Sequence, residues 1–298
     1  MGSGEPRETL HAMDTTIDFP LPGAGDPVVA IPAPGKGSGW WAGAPAAVLD
    51  ADNAILLAYR TRNGHDGHDE TVVARSADGE TYEPLVTLRE ERFDAMGVER
   101  PALVRLDDGW RLYVCCAIPD SKAWWIGALD APTIEELSSA EVVTAFAPGR
   151  EFAVKDPIVR RSEDGWEAWI CCHHLDVPGH EDRMCSRYAT SDDGLSWTWR
   201  GTVMSGTPGT WDARGARLTA IGDGYAAYDG RASAEENWFE RTGIAARGED
   251  GVYAPTGPAL ADVRYLEVLD VGGGARRIFY EARLPDESHE LRTELITG

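Results

Sequence analysis

Apolar residues come in short runs along this chain, and a turn signal borders each run. Ile55-Leu56-Leu57-Ala58-Tyr59, Leu112-Tyr113-Val114-Cys115-Cys116 and Ala168-Trp169-Ile170-Cys171-Cys172 are three such runs. Asn53, Gly109 and Gly165 stand just before them. These residue types accept the positive φ of a hairpin turn. Before each turn lies a second run opened around a proline: Ala44-Pro45-Ala46-Ala47-Val48, Arg100-Pro101-Ala102-Leu103-Val104 and Asp156-Pro157-Ile158-Val159-Arg160. Pro45, Pro101 and Pro157 are 56 residues apart, and the turn residue follows each by eight. Shared spacing at both points marks an internal repeat of strand, tight turn, strand. The prolines are expected at the first residue of the strand, one of the few places a sheet accepts them.

A third strand continues some units. Val72-Val73-Ala74-Arg75-Ser76 leads into Asp78-Gly79-Glu80-Thr81-Tyr82, and residues 186–191 lead into Asp193-Gly194-Leu195-Ser196-Trp197. Each Ser-x-Asp-Gly-x-x-aromatic stretch reads as an outer hairpin turn packed by a ring. A looser fourth unit has Trp211-Asp212-Ala213-Arg214-Gly215-Ala216, the turn Asp223-Gly224, and Tyr225-Ala226-Ala227-Tyr228. A fifth has residues 264–269, the turn Gly272-Gly273-Gly274, residues 277–281 and an outer strand at 290–295. Thr15-Thr16-Ile17-Asp18-Phe19 is placed to close a ring by joining the last sheet. Residues 131–137 and 234–238 are short helix candidates.

Five units of this kind describe an all-β chain, a single-domain five-bladed β-propeller. The blades fall at about 40–93, 94–149, 150–204, 205–258 and 259–298 within a domain of residues 15–298. Residues 1–14, rich in Gly, Glu and Arg, read as a loose tail. A chain of 298 residues buries a sizeable core without disulfides or metals.

The charge narrows the partners. Fifty acidic side chains against 28 basic ones give a net charge of −22, which argues against binding nucleic acid or an anionic membrane. No apolar run has the roughly 18 residues of a membrane span, and residues 1–39 lack the basic head and apolar stretch of a signal peptide. A cytoplasmic location is expected. Cys115, Cys116, Cys171, Cys172 and Cys185 form no C-x-x-C pattern. They read as small core residues in a reducing compartment.

In a propeller the starts of the inner strands converge on one mouth of a central channel, and the ends of the second strands return there. That rule gathers Gly43, Ala44, Glu99, Arg100, Lys155, Asp156, Asp212, Arg214, Arg264, Tyr265 and Glu267 with Arg60, His173, His174, Asp229, Arg231, Glu281 and Arg283. Alternating acids and arginines at one mouth describe a polar substrate pocket, with bidentate pairs holding the carboxylates ionised. Trp40, Trp41, Trp211 and Trp238 offer flat faces suited to a sugar ring. Paired carboxylates across such a cleft are what glycosidic cleavage requires. Asp156, Asp212 and Glu99 are the candidate catalytic carboxylates. Trp41, Arg60, Arg100, Lys155, His173, Arg214, Asp229, Arg231, Arg264, Tyr265 and Glu281 are the candidate substrate-binding residues. His65-Asp66-Gly67-His68-Asp69-Glu70 holds metal-ligand types in the composition of an exposed loop, and no metal site is assigned. No phosphate-cradling or dinucleotide glycine motif opens a helix, so no cofactor is expected.

The same residues resemble the propeller glycoside hydrolases, both the arabinofuranosidase/xylosidase family 43 and the mannoside phosphorylase family 130. Residues 41–45 with 56–60 look like the first blade of these enzymes. Gly97-Val98-Glu99-Arg100-Pro101 looks like the Gly-x-Glu-Asp-Pro motif of family 130. Lys155-Asp156-Pro157 looks like the third-blade Asp of family 43, which positions substrate and tunes the acid. Residues 211–215 with Tyr228-Asp229-Gly230 look like the fourth blade. The resemblance implies a carboxylate where Gly43-Ala44 stands, another where Arg100 stands and a third where Arg214 stands. An arginine does not donate a proton near neutral pH.

Three functional expectations follow. One is a glycoside hydrolase-like enzyme using other carboxylates, with Asp156 as base or nucleophile and Asp212 beside Trp211 as acid, and with Glu99, Asp229 and Glu281 as substitutes. Its arginines would bind an anionic part of a small carbohydrate, or an attacking phosphate as in a phosphate-dependent phosphorylase. The second is a non-hydrolytic propeller that binds a sugar or sugar acid. The third is an interaction scaffold, which calls for an apolar face.

Overall fold

The apolar runs around the three spaced prolines and the turns after them become strands, and within each meander successive strands pair antiparallel. The computed structural model describes residues 18–64 and 68–297. Thr15, Thr16 and Ile17, the tail 1–14, and His65, Asp66 and Gly67 of the acidic loop lie outside the described residues. The chain opens with β1 (Val28–Ile31). A first meander holds β2 (Trp40–Leu49), β3 (Ile55–Asn63), β4 (Glu70–Ser76) and β5 (Glu83–Arg89). A second holds β6 (Val98–Leu106), β7 (Gly109–Ala117), β8 (Trp124–Ala131) and β9 (Val143–Phe146). Next come β10 (Phe152–Ser162), β11 (Gly165–His174), β12 (Met184–Ser191) and β13 (Thr198–Ser205), then β14 (Gly215–Ile221), β15 (Tyr225–Arg231), β16 (Arg241–Arg247) and β17 (Tyr253–Pro255). The last are β18 (Arg264–Gly272), β19 (Ala275–Arg283) and β20 (His289–Ile296).

The described residues contain no α-helix, only short 3₁₀ turns at Glu90–Phe93 and Glu135–Ser138. The second overlaps one helix candidate, while residues 234–238 form turns. Among the described residues no helix is long and apolar enough to cross a membrane.

Three sheets result, two of eight strands and one of four. Each eight-stranded sheet is two meanders joined by one parallel bridge, Trp41 to His289 in one and Met184 to Gly215 in the other. The last meander takes its fourth strand from the N-terminal part of the chain: β1 pairs with β20, Val28 opposite Thr293. Val28–Ile31 is thus the strand that completes the last meander; of the residues 15–19 expected there, 15–17 lie outside the described residues, and Asp18 and Phe19 are not in a strand.

Hydrophobic clusters fill the spaces between consecutive meanders. One cluster packs Leu56 and Val73 against Val98 and Leu112, the next packs Tyr113 and Ile126 against Trp166 and Ile170, and others follow around to Phe279 and Leu291 against Leu57 and Val72. The last meander thus packs against the first. Cys116 and Cys172 lie within these clusters, and all five cysteines are buried and free.

The Asp-Gly turns latch neighbouring meanders. Asp78 Oδ1 accepts from the amides of Glu80 and Thr81, and the carbonyl of Asp78 receives Arg277 from the last meander. Asp193 repeats the turn with the amides of Leu195 and Ser196, and the carbonyls of Asp193 and Gly194 receive Arg111 and Tyr113 from the second meander.

The prolines depart from expectation in one respect. Pro45, Pro101 and Pro157 lie inside β2, β6 and β10, where the register shifts between Gly43 and Ala46, Glu99 and Ala102, and Lys155 and Ile158. These are edge strands of their meanders, and a bulge there leaves the missing N–H without a ladder partner to lose.

Candidate functional site

The bulges decide which side chains meet at the centre. A bulge re-aims the side chain that it carries. Ala44, Asp156 and Tyr265 take the left-handed conformation there, with φ of 54°, 48° and 54°. Glu99 and Lys155, just before two of the bulges, line one cavity, and Ala46, Pro157 and Ile158, at or after the bulges, line another. The first, of about 380 Å³, is lined by Glu99 and Lys155 from the inner strands with Arg62 and His173 from the second strands. Loops add Lys122, Gly179, Glu181, Asp182 and Asn237, with Trp124 and Trp238 as aromatic walls. The other, of about 220 Å³, is walled mainly by Ala46, Leu103, Pro157, Ile158, Ala220 and Val268, with Arg100 and Glu267 as a buried ion pair.

Between the cavities lies a buried polar belt. Arg217 donates to Asp156 Oδ2 at 3.0 Å, to Asp229 Oδ2 at 2.7 Å and to the Tyr265 hydroxyl at 2.8 Å. Its guanidinium lies 3.7 Å from the Tyr265 ring centroid. Asp229 also accepts from the Thr242 hydroxyl and the Tyr265 amide, and burial pushes its carboxyl pKa up. Asp156 is fully buried, and its Oδ1 has no partner.

A chain of ion pairs forms the floor of the larger cavity. Glu99 is held by Arg60 at 3.0 Å and Arg62 at 3.2 Å. Arg60 reaches on to Glu281 at 3.2 Å, which pairs with Arg264 at 2.8 Å and with His289. Arg264 reaches Glu240 at 3.0 Å, and Glu240 pairs with Arg231. Trp41 lies under this chain. It stacks on His289 at 5.0 Å and carries Arg60, Arg62 and Arg264 over its ring.

Gly43 makes room for this chain. A Cβ there would lie 2.0 Å from Glu281 Oε2. The carboxylate beside the first inner strand therefore comes from the last meander rather than from residues 43–44 themselves.

These surroundings fix the charges. Although burial opposes it, the cations Arg60, Lys155 and Arg62 hold the Glu99 carboxyl well below its ordinary pKa. Arg264 and Arg60 do the same for Glu281, and Arg264 with Arg231 brings Glu240 to about 2 against its burial. Asp182 is lowered by Arg214 in spite of burial. Asp69, which shares Arg62 with Glu99, moves the opposite way, because burial outweighs Arg62. His173 is kept neutral by burial and by the charges of Lys155, Arg231 and Arg217. Its Nδ1 faces the carbonyl of Glu181 at 3.0 Å, so that nitrogen carries the hydrogen.

The sequence-derived candidates sort into four places. Glu99, Lys155 and His173 line the larger cavity. Arg60, Arg231, Arg264, Glu281 and Trp41 are buried in its floor. Asp156, Asp229 and Tyr265 form the belt behind it. Three stand elsewhere. Arg100 lies at the second cavity, donating to the carbonyl of Pro45 and to Glu267. Arg214 pairs with Asp182 beside the larger cavity. Asp212 caps a turn: its oxygens accept from the Thr207 amide, the Thr210 hydroxyl and the Tyr228 hydroxyl.

Several residues of the site were not anticipated. Arg62 was legible, two positions after Arg60 and on the same strand face. Arg217 was hidden because the fourth inner strand begins at Gly215 rather than at Trp211. Trp124, Lys122, Asp182, Asn237, Glu240 and His289 come from loops and outer strands that the repeat does not place.

No family model and no curated protein matches this sequence. Solved structures do match its fold. A β-1,2-mannobiose phosphorylase from Listeria innocua, bound to β-1,2-mannobiose, superposes with a TM-score of 0.62 over 93% of this chain and 92% of that one, at 12% identity. A structure from the family 130 mannoside phosphorylases, described as containing glycoside hydrolases that target β-1,2 mannosidic linkages in Candida mannan, gives 0.64 over 93% and 92% at 12% identity. A thermostable family 43 glycoside hydrolase gives 0.64 over 85% and 88%, also at 12% identity. The chain shares its fold with these two groups of carbohydrate-active enzymes, as its motifs led one to expect.

Proposed function

We propose that this chain is a five-bladed β-propeller enzyme that processes a small anionic glycoside in the cavity between Trp124 and Trp238. Each four-stranded meander is read as one blade, with β1 completing the last. The observation that carries the reading is the meeting, in one cavity, of the carboxylates Glu99, Glu181 and Asp182 with the cations Arg62, Lys122 and Lys155 and with the indoles of Trp124 and Trp238. Arg62 is paired with Asp69 and Glu99, whereas Lys122 and Lys155 make no ion pair among the described residues, which leaves them for a carboxylate or phosphate on the ligand. Indole faces suit the apolar face of a sugar ring.

Glu99 is the carboxylate that meets the substrate, as base or nucleophile. Asp69, on the far side of the shared Arg62, is its counterpart, with a carboxyl that burial shifts upward while that of Glu99 is shifted down. Carboxyls whose surroundings drive their pKa values apart are the usual sign of such a pair. Asp156 and Asp229 act through Arg217, fixing the belt behind the site. Five buried free cysteines suit a reducing, cytoplasmic setting.

A second reading is a sugar-acid-binding propeller without turnover. It is favoured by one observation: Glu99, Glu181 and Asp182, the carboxylates on the cavity wall, are all shifted toward the ionised form. Neither hydrolysis nor phosphorolysis proceeds readily without a group to protonate the leaving oxygen.

One experiment separates the readings. The purified protein is incubated with chromogenic pyranosides, furanosides and uronides, each with and without phosphate. The enzyme reading expects turnover of a uronide or other anionic glycoside, reduced at least about a hundredfold in Glu99→Gln. A phosphate requirement would make it a phosphorylase. Thermal stabilisation by a uronide without product would select the binding reading. Turnover undiminished in Glu99→Gln would overturn the assignment of Glu99.

A further inference from the structure

The larger cavity changes character from floor to mouth. Its floor is ionic, with Glu99, Arg62 and Lys155. Its mouth is lined from the loops 118–123, 175–183 and 232–240, through Lys122, Gly179, Glu181, Asp182, Asn237 and Trp238, and the loop 94–97 meets the first of them. Three of the large apolar side chains most exposed among the described residues stand on these loops: Met96 at 63%, Val177 at 42% and Trp238 at 42%. Scattered exposed apolar residues need no explanation, but several around one cavity do. Met96 is tied to the Lys122 loop, since the amide of Asp120 lies 3.4 Å from its sulfur. Val177 opens the turn that carries Gly179 and Glu181 on the cavity wall.

Trp238 is the most telling of the three. Its φ is 74°, a conformation that a bulky residue adopts at a cost and that is retained where function holds it. The strained backbone leaves the indole edge-on to Trp41, at 5.3 Å and 64°, and open to solvent on the cavity wall. Burying it elsewhere would have served stability better.

We propose that the mouth is an apolar collar for the group attached to the sugar, so that the ligand is an amphiphilic glycoside: an anionic sugar head on the ionic floor and an alkyl or aryl group against Trp238, Met96 and Val177. This rests on the proposed function above and names the substrate class of the same site. A ligand that was polar along its whole length would leave the collar facing water, with no gain from its exposure.

The test is calorimetric titration of the full chain with methyl, butyl and hexyl D-glucuronides and D-galacturonides, and with methyl and hexyl D-glucopyranoside as neutral heads. Affinity should rise by up to about fourfold per methylene, the value of a fully buried CH₂. Trp238→Ser should flatten that rise. Met96→Ser should reduce it for the hexyl compounds. Uronides that bind equally well at every chain length would overturn the collar and leave the anionic-sugar reading standing. A rise with chain length that is the same for neutral and uronic heads would uphold the collar and overturn the anionic head. Binding by none of the compounds would overturn both.

Discussion

Alanine at position 43 should be poorly tolerated in the native chain and far better tolerated once Glu281 is shortened. A Cβ built on Gly43 lies 2.0 Å from Glu281 Oε2 and 2.5 Å from its Cγ and Cδ. The carboxylate has nowhere to retreat, because Arg60, Arg264 and His289 hold it in a fully buried position. Gly43 is not among the positive-φ glycines, so the backbone itself accepts alanine and the penalty is steric. Gly43→Ala should therefore cost roughly 1–3 kcal/mol as overpacking. Glu281→Ala should cost about 3–5 kcal/mol, because Arg60 and Arg264 each lose a buried counter-ion. In the double variant the new methyl enters vacated space. The combined loss should fall short of the sum by roughly 1–3 kcal/mol, the range of coupling between touching residues. Urea unfolding of the four proteins, followed by tryptophan fluorescence, closes the cycle. Losses that add to within about 0.5 kcal/mol would refute the argument that position 43 is glycine in order to admit Glu281.

Other outcomes follow from the same geometry. The folded pKa values of Glu99, Glu240 and Glu281 all lie below their unfolded values. Their contribution is thus present above about pH 4.5 and is lost as pH falls through the folded values, so the denaturation midpoint should drop steeply from pH 4.5 toward 2, where Glu240 titrates; a flat profile across that window would contradict the ion-pair chain. Asp212→Ala should lower stability by roughly 1–3 kcal/mol, since the Tyr228 hydroxyl and the Thr207 amide lose their acceptor, and ligand affinity measured on the folded variant should be unchanged; a selective loss of affinity would return Asp212 to the site. The five cysteines should resist a thiol reagent in the native protein and react together on unfolding, because all are buried and burial raises the pKa of each; rapid labelling of any one of them under native conditions would contradict the core assignment.

Much of the strand order was legible because the repeat spaces its own landmarks. The prolines at 45, 101 and 157 and the turns after them place the first two strands of three meanders, and those strands form, although each first strand begins at Trp40, Val98 or Phe152, ahead of its proline. The closing strand was not legible, because Val28–Ile31 is short and joins β20 only through a pairing across nearly the whole chain. The site was legible in its charges and not in its depth. Glu99, Lys155 and His173 line the cavity as their positions implied. Asp156 and Asp229, which carry the same signal in sequence, are sealed beneath Arg217 and Tyr265. Asp212, beside a tryptophan as an acid might be, is consumed by its own turn. Burial and hydrogen-bond partners separate these three fates, and neither is a property of one segment.

The sequence by itself determined the things that depend on local order: alternating runs that become strands, Asn and Gly residues that turn them, and the Ser-x-Asp-Gly turns that cap them. It also determined the acidic balance and the set of charged residues available near the inner strands. The tertiary structure alone decided how those charges pair. Glu281 stands beside Gly43 because the last meander folds back onto the first, so that a Cβ added at position 43 would meet a side chain more than 200 residues away in sequence. Which carboxylate is held ionised, which is sealed and which lines a cavity is set by distances between different meanders. Electrostatic energies fall with those distances and rise with burial, and a linear pattern encodes neither.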